Sequence, residues 1–322
     1  MTLATEAPAA LVVAAFANIP EVDAVALAGS KVAGSADEQS DLDLYVYARA
    51  PVTIADRGAI ATRFATRREV GNDFWEPGDE WIDRQSGRQI DVMYRTPVWI
   101  EEQLDRVLVR HEASVGYSTC FWHNVLHSTP LFDRSGWYRD LQASAERPYP
   151  QPLRRAIIAK NHPILRQTLS SYLAQIERAV QRGESVSIQH RVTALLASYF
   201  DILFAINELP HPGEKRLLQV AATRCTKTPL NMETQINTVL GTTAWPTTPA
   251  VVEHINALLD SLDALLVNED LVPTGCSRRS GVQDSRHPEK LHLARTCTCR
   301  ISSYLTQMDE ANWRFGNRDG HI

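Results

Sequence analysis

Two carboxylates two residues apart, Asp41 and Asp43, head an apolar run, LDLYVYA, that reads as a β-strand. On a strand, residues i and i+2 face the same way, so the acids project together while Leu42 and Leu44 turn toward a core. Like charges beside a core call for a compensating cation. Mg2+ prefers carboxylate and phosphate oxygens and keeps part of its water shell, which suits an ion shared with a nucleoside triphosphate. Upstream, the apolar run AVALA ends in Gly29-Ser30. The glycine admits close backbone approach to a phosphate, and the serine offers a hydroxyl and an N–H. A third acid, Asp91, sits in the apolar frame Ile90-Asp91-Val92. Three carboxylates, two Mg2+ ions and a Gly-Ser phosphate grip are the parts needed for in-line attack of a hydroxyl on an α-phosphate.

The remaining candidates are less defined. Lys31 follows the Gly-Ser pair, and Lys160 and Lys215 could reach a triphosphate as point charges from the second half of the chain. Gly29 and Gly34 have the glycine spacing of a P-loop, but Ser35 stands where its lysine must be. Asp91 could accept the acceptor's proton, as could Glu101 or Glu112, although both glutamates read as solvated helix positions. His123, His127, His162 and His190 lack metal-ligand spacing, and Trp75, Trp81, Trp99 and Trp122 read mostly as core. The acids of Glu76-Pro-Gly-Asp79-Glu80 could steer a cationic acceptor, or could be plain hairpin acids in solvent. The five cysteines, at 120, 225, 276, 297 and 299, form no disulfide framework, and Cys297-Thr-Cys299 lacks a second pair for zinc, so free thiols are expected.

The elements that must hold these residues follow from periodicity. Residues 7–18 read as a helix, 24–28 and 42–48 as strands, and 53–69 as another helix. Alternating residues on both sides of Ser86-Gly87 predict a hairpin whose second arm, 89–95, carries Asp91. Pro97 opens a helix. From about 152 the pattern turns to helices: a long one to Gly183 with Pro163 near its start, one over 187–208 stopped by Pro210, then 213–224, 229–240 and 248–267. Three prolines between Glu146 and Pro152 suggest a linker. The expected organisation is α+β: residues 1–150 form a domain with a mixed sheet, 151–272 an all-α helical bundle, and 273–322 a poorly ordered or peripheral tail. With 322 residues, 44% hydrophobic and 22% charged, the chain has ordinary globular composition. A formal charge of −5 argues against a dedicated nucleic-acid surface. No apolar run is long enough for a membrane span, and the N-terminus has no basic residue ahead of its apolar stretch and carries Glu6, so a cytoplasmic protein is expected.

Apolar-Gly-Ser, ten intervening residues, Asp-apolar-Asp-apolar and a later apolar-Asp-apolar together resemble the signature of the DNA polymerase β-type nucleotidyltransferase superfamily. Gly29, Ser30, Asp41, Asp43 and Asp91 fall on its motif positions, and the likeness spans about the first 95 residues. PVWIEEQLDRVL, GYSTCFWHNVLHSTPLFDRSGWYRDLQ and FDILFAINELPHPGEKRLL are similar to segments of bacterial stand-alone nucleotidyltransferases with a helical C-terminal domain, which share a plan with aminoglycoside and lincosamide nucleotidyltransferases. The resemblance implies nucleotidyl transfer, usually of AMP from ATP, to a hydroxyl of a small molecule such as an antibiotic. Asp41, Asp43 and Asp91 would hold two Mg2+ ions, Gly29 and Ser30 would grip the β- and γ-phosphates, and Lys31, Lys160 and Lys215 would add positive charge. Two other expectations stay open: a protein-modifying adenylyltransferase of the antitoxin kind, against which the long helical half argues, and a nucleotide-binding regulator without turnover, against which the full acid set argues.

Overall fold

A computed structural model describes residues 7–28, 41–74, 76–243 and 249–272. These all fall within one compact unit, Met1–Arg279. Gly29, Ser30, Lys31, Trp75 and the expected tail lie outside the described residues.

The first elements are helix α1 (Ala7–Ala17), strands β1 (Val22–Ala28) and β2 (Leu42–Ala48), helix α2 (Ile54–Phe64), and strands β3 (Ala65–Asn72), β4 (Gly78–Asp83) and β5 (Gln89–Arg95). They build a six-stranded sheet of order β3-β4-β5-β2-β1-β6, closed by β6 (Thr129–Asp133). Every neighbouring pair is antiparallel except the central pair β2 and β5. The sheet is therefore mixed, as expected.

Strand alternation divides the side chains between two layers. Leu42, Leu44, Val46, Ile90, Val92 and Trp81 pack with Val12, Val13 and Phe16 of α1 and Ile60 and Ala61 of α2. Ala24, Ala26, Tyr45 and Tyr47 face the other way. They are covered by α3 (Pro97–Leu108), α4 (Cys120–His127), α5 (Trp137–Ala145) and the first turns of α6 (Gln151–Arg166). A second apolar core joins the rest of α6 to α7 (Tyr172–Arg182), α8 (Ser185–Ile206), α9 (Leu217–Arg224), α10 (Met232–Thr242) and α11 (Ala250–Asn268). Among the described residues, no helix is long and apolar enough to cross a membrane.

Two expected helices need correction. The one over 53–69 ends at Phe64, and its remainder is the edge strand β3. Thr53 caps the start as an N-cap should, accepting from the Asp56 N–H at 3.1 Å. Pairing with β4 then outweighs the modest helix propensity of Ala-Thr-Arg-Arg-Glu. The long helix ending at Gly183 is two helices. Pro163 sits inside α6, and the break comes after Arg166, with Ser171 capping α7.

Candidate active site

Asp43 and Asp91 are register partners on the parallel strands β2 and β5. Their neighbours Leu42, Leu44, Ile90 and Val92 lie buried on the opposite face, and alternation then forces both carboxylates onto the face covered by α3–α5. A one-residue slip would bury the acids and expose four aliphatic side chains, so the register is strongly specified. Asp41 stands just ahead of β2 and is exposed. Ala28, the last residue of β1, pairs with Asp43 across the sheet.

The electrostatics of the group are those of crowded like charges. Burial pushes the Asp43 carboxyl above the ordinary carboxylate range, and the charges of Asp91 and Asp41 push it further. Asp91 is raised by burial and by Asp41, against a hydrogen bond of 2.8 Å that its Oδ1 accepts from the Gln89 amide. Among the described residues, one cation acts on both acids in the opposite sense. Lys215, on the loop between α8 and α9, pulls the pKa of each down. Of the two candidate lysines of the helical half, Lys215 is thus the one whose charge acts on the carboxylates. Lys160 lies exposed on α6 and is not among the charges acting on either acid.

Two acids of the segment Glu76–Glu80 are committed elsewhere. Asp79 is buried against Arg57, and Glu76 pairs with Arg95 at 2.9 Å. Only Glu80 joins the site's face, as the β4 register partner of Asp91. The expected acidic steering patch therefore shrinks to this one residue and the site's own acids. Glu101 of α3 accepts a hydrogen bond from the Trp137 indole at 2.6 Å, whereas Glu112, engaged by Arg106 and Arg110, lies on the loop that follows α3 and not on the expected helix. His123 and His127 stack on each other at 4.0 Å, and burial drives His123 down to about 3. His162 is hydrogen-bonded to Asp263 and His190 is exposed. Cys120 and Cys225 are free thiols.

No family model matches the chain, and no curated protein matches it. Among solved structures it is similar to a nucleotidyltransferase-like protein from Exiguobacterium sibiricum, at 12% identity over 83% of this chain and 76% of that one, with a TM-score of 0.40. It is also similar to a Thermotoga maritima CCA-adding enzyme complexed with tRNA, at 13% identity over 83% of this chain and 66% of that one, with a TM-score of 0.31. A CCA-adding enzyme in complex with CTP is matched at 13% identity over 85% and 68% of the two chains, with a TM-score of 0.29. These likenesses are distant, and the chemistry rests on the side chains of this chain.

Among the described residues, no three His, Cys, Asp or Glu side chains already form a metal-holding cluster. The donor set nonetheless suits a hard divalent cation. Two carboxylates in register, with a third just ahead of them, offer oxygen ligands whose charge is only partly offset by Lys215 among the described residues. Gln89 was not singled out by sequence reasoning, and Glu80 was expected only among the hairpin acids, not beside Asp91. Gln89 could have been, since it lies two residues before Asp91 on the same strand face, whereas Glu80 becomes visible only with the β4–β5 register.

Proposed function

We propose that this chain is a Mg2+-dependent nucleotidyltransferase that moves a nucleoside monophosphate, AMP from ATP, to a hydroxyl of a small molecule. The observation that carries the reading is the pairing of Asp43 with Asp91 on parallel central strands, where burial raises both carboxyl groups and the neighbouring acids, Asp91 and Asp41 for Asp43 and Asp41 for Asp91, raise them further. Such a pair is stabilised by a cation and is poorly explained as packing. Asp41, Asp43 and Asp91 would hold the metal, which would lower the pKa of the attacking hydroxyl and neutralise charge on the leaving pyrophosphate. The acceptor oxygen attacks the α-phosphorus, the bond to the β-phosphate bridging oxygen breaks, and pyrophosphate leaves with that electron pair. Asp91, the acid whose oxygen is oriented by Gln89, receives the hydroxyl proton directly or through water.

Gly29 and Ser30 grip the β- and γ-phosphates, Lys31 adds charge beside them, and Lys215 approaches from the helical side. Residues 1–150 form the catalytic part on this reading, and 151–272 the part that closes over nucleotide and acceptor. The acceptor is of the aminoglycoside or lincosamide kind. Support for it comes from the plan that the family resemblance implies and from Glu80 beside Asp91, which extends the negative face toward a polycation.

The test is pyrophosphate release from ATP, CTP, GTP and UTP with Mg2+, across a panel of aminoglycosides, lincosamides, other hydroxylated metabolites and a tRNA. Acceptor-dependent release that is lost in Asp43→Asn is the expected result. Release with tRNA alone would overturn the small-molecule acceptor, and silence with every acceptor would overturn turnover itself.

A further inference from the structure

Gln89 and Asp91 are residues i and i+2 of β5, so both side chains leave the strand on the same face, the one covered by α3–α5. Gln89 is half-buried, with Ile82 of β4 as its register partner, while Glu80 holds the same relation to Asp91. From this position the carboxamide Nε2 donates to Asp91 Oδ1 at 2.8 Å. An ionised carboxylate can only accept, so the amide must turn Nε2 rather than Oε1 toward it. That bond divides the carboxylate. Oδ1 is held from its own strand, and Oδ2 has no hydrogen-bond partner among the described residues.

The residue type fits this position for a reason of charge. A lysine or arginine at 89 would also donate to the carboxylate, but its charge would compete with the cation that the acids call for. A glutamate would add a negative charge beside Asp91 and Glu80, and like charges on neighbouring positions of one face repel. A methionine or leucine would pack on Ile82 and orient nothing. Among these side chains, the neutral amide is the one that orients Asp91 and leaves its charge intact, as the hydrogen-bonding partners behind metal-binding carboxylates do. Asp43 offers the contrast: among the described residues it accepts no side-chain hydrogen bond.

We propose that Gln89 is a positioning residue: by holding Oδ1 of Asp91 it leaves Oδ2 as the oxygen presented to a divalent cation. The role rests on the metal-binding reading of Asp91, and cation binding is measured apart from turnover.

Mn2+, which like Mg2+ favours oxygen ligands, is titrated into the full chain without nucleotide, and the free ion is counted by electron paramagnetic resonance. Gln89→Met keeps the side chain's length, removes the donor, and is expected to bind about tenfold more weakly, the lower end of what losing a partner behind a metal ligand costs. Gln89→Glu removes the same donor but supplies oxygens, and is expected to bind at least as tightly as the wild type while melting lower without metal. Melting temperatures report the fold separately. A Met variant that binds like the wild type overturns the proposal, and so does equal weakening in both variants, which would mean a disturbed strand end. In pyrophosphate release, the Met variant needs about tenfold more Mg2+ for half its maximal rate. Silence in that assay with the Mn2+ pattern intact removes the nucleotidyltransferase reading and leaves Gln89 at the cation. A wild type that binds no Mn2+ overturns the proposal together with the metal assignment.

Discussion

Asp43 and Asp91 face each other across a parallel strand pair with their charges only partly answered by Lys215. Both carboxyl groups are raised in the folded state, so between the unfolded value of 3.8 and the raised values the native chain holds more protons than the unfolded one. Stability from these groups falls as pH rises through that window. Asp43→Asn relieves the repulsion, so the metal-free variant is expected to melt higher than the wild type at neutral pH. Added Mg2+ raises the melting temperature of the wild type and leaves the variant's unchanged, and turnover falls about 10²–10³-fold, the usual cost of losing one electrostatic stabiliser. A variant that keeps full turnover sinks the metal assignment. At Gly213, an added Cβ meets nothing within 4 Å, so Gly213→Ala costs only backbone strain, about 1–3 kcal/mol, measurable by urea unfolding.

Two elements stand on buried polar contacts that the sequence only partly announced. Arg57 of α2 donates from Nε to Asp79 of β4 at 3.0 Å and from Nη2 to the Gly78 carbonyl at 2.6 Å. Asp79 also accepts from the Tyr94 hydroxyl at 2.6 Å and the Gly71 N–H at 2.8 Å. Arg57→Ala strands that carboxylate without its cation, and a loss of about 3–5 kcal/mol is expected in denaturant unfolding. Asp201 of α8 is completely buried and pushed up to about 7 by that burial, against hydrogen bonds from Ser118. Its folded pKa lies above the unfolded 3.8, so its share of the stability is full below about pH 4 and declines toward pH 7. Asp201→Asn flattens the fall in melting temperature between pH 5 and pH 8, apart from the part owed to Asp43 and Asp91. An unchanged slope would show that this carboxyl group does not titrate there. The strands β1, β2 and β5 were legible because alternation and turn residues are local signals. The edge strand β3 was not, because its partner β4 overrides a run that reads as helix.

The sheet-face core and the helical core share elements. Leu153 and Ile157 of α6 belong to the first and Ile158 and Leu165 to the second, while α8 gives Ala205 to the first and Phe204 to the second. The two halves are thus expected to unfold together, with tryptophan fluorescence and far-ultraviolet dichroism tracing one thermal transition. Two separated transitions would mean that 1–150 and 151–272 are independently stable. The sequence by itself determined the acid positions, the strands that carry them and the change to helices near residue 150, since spacing and periodicity are properties of the local chain. Tertiary structure alone decided that Asp91 meets Asp43, that the charge of Lys215 rather than Lys160 acts on them, and that Glu76 and Asp79 are spent on arginines. Each of these depends on register or on contacts between residues far apart in the chain, which no local pattern encodes.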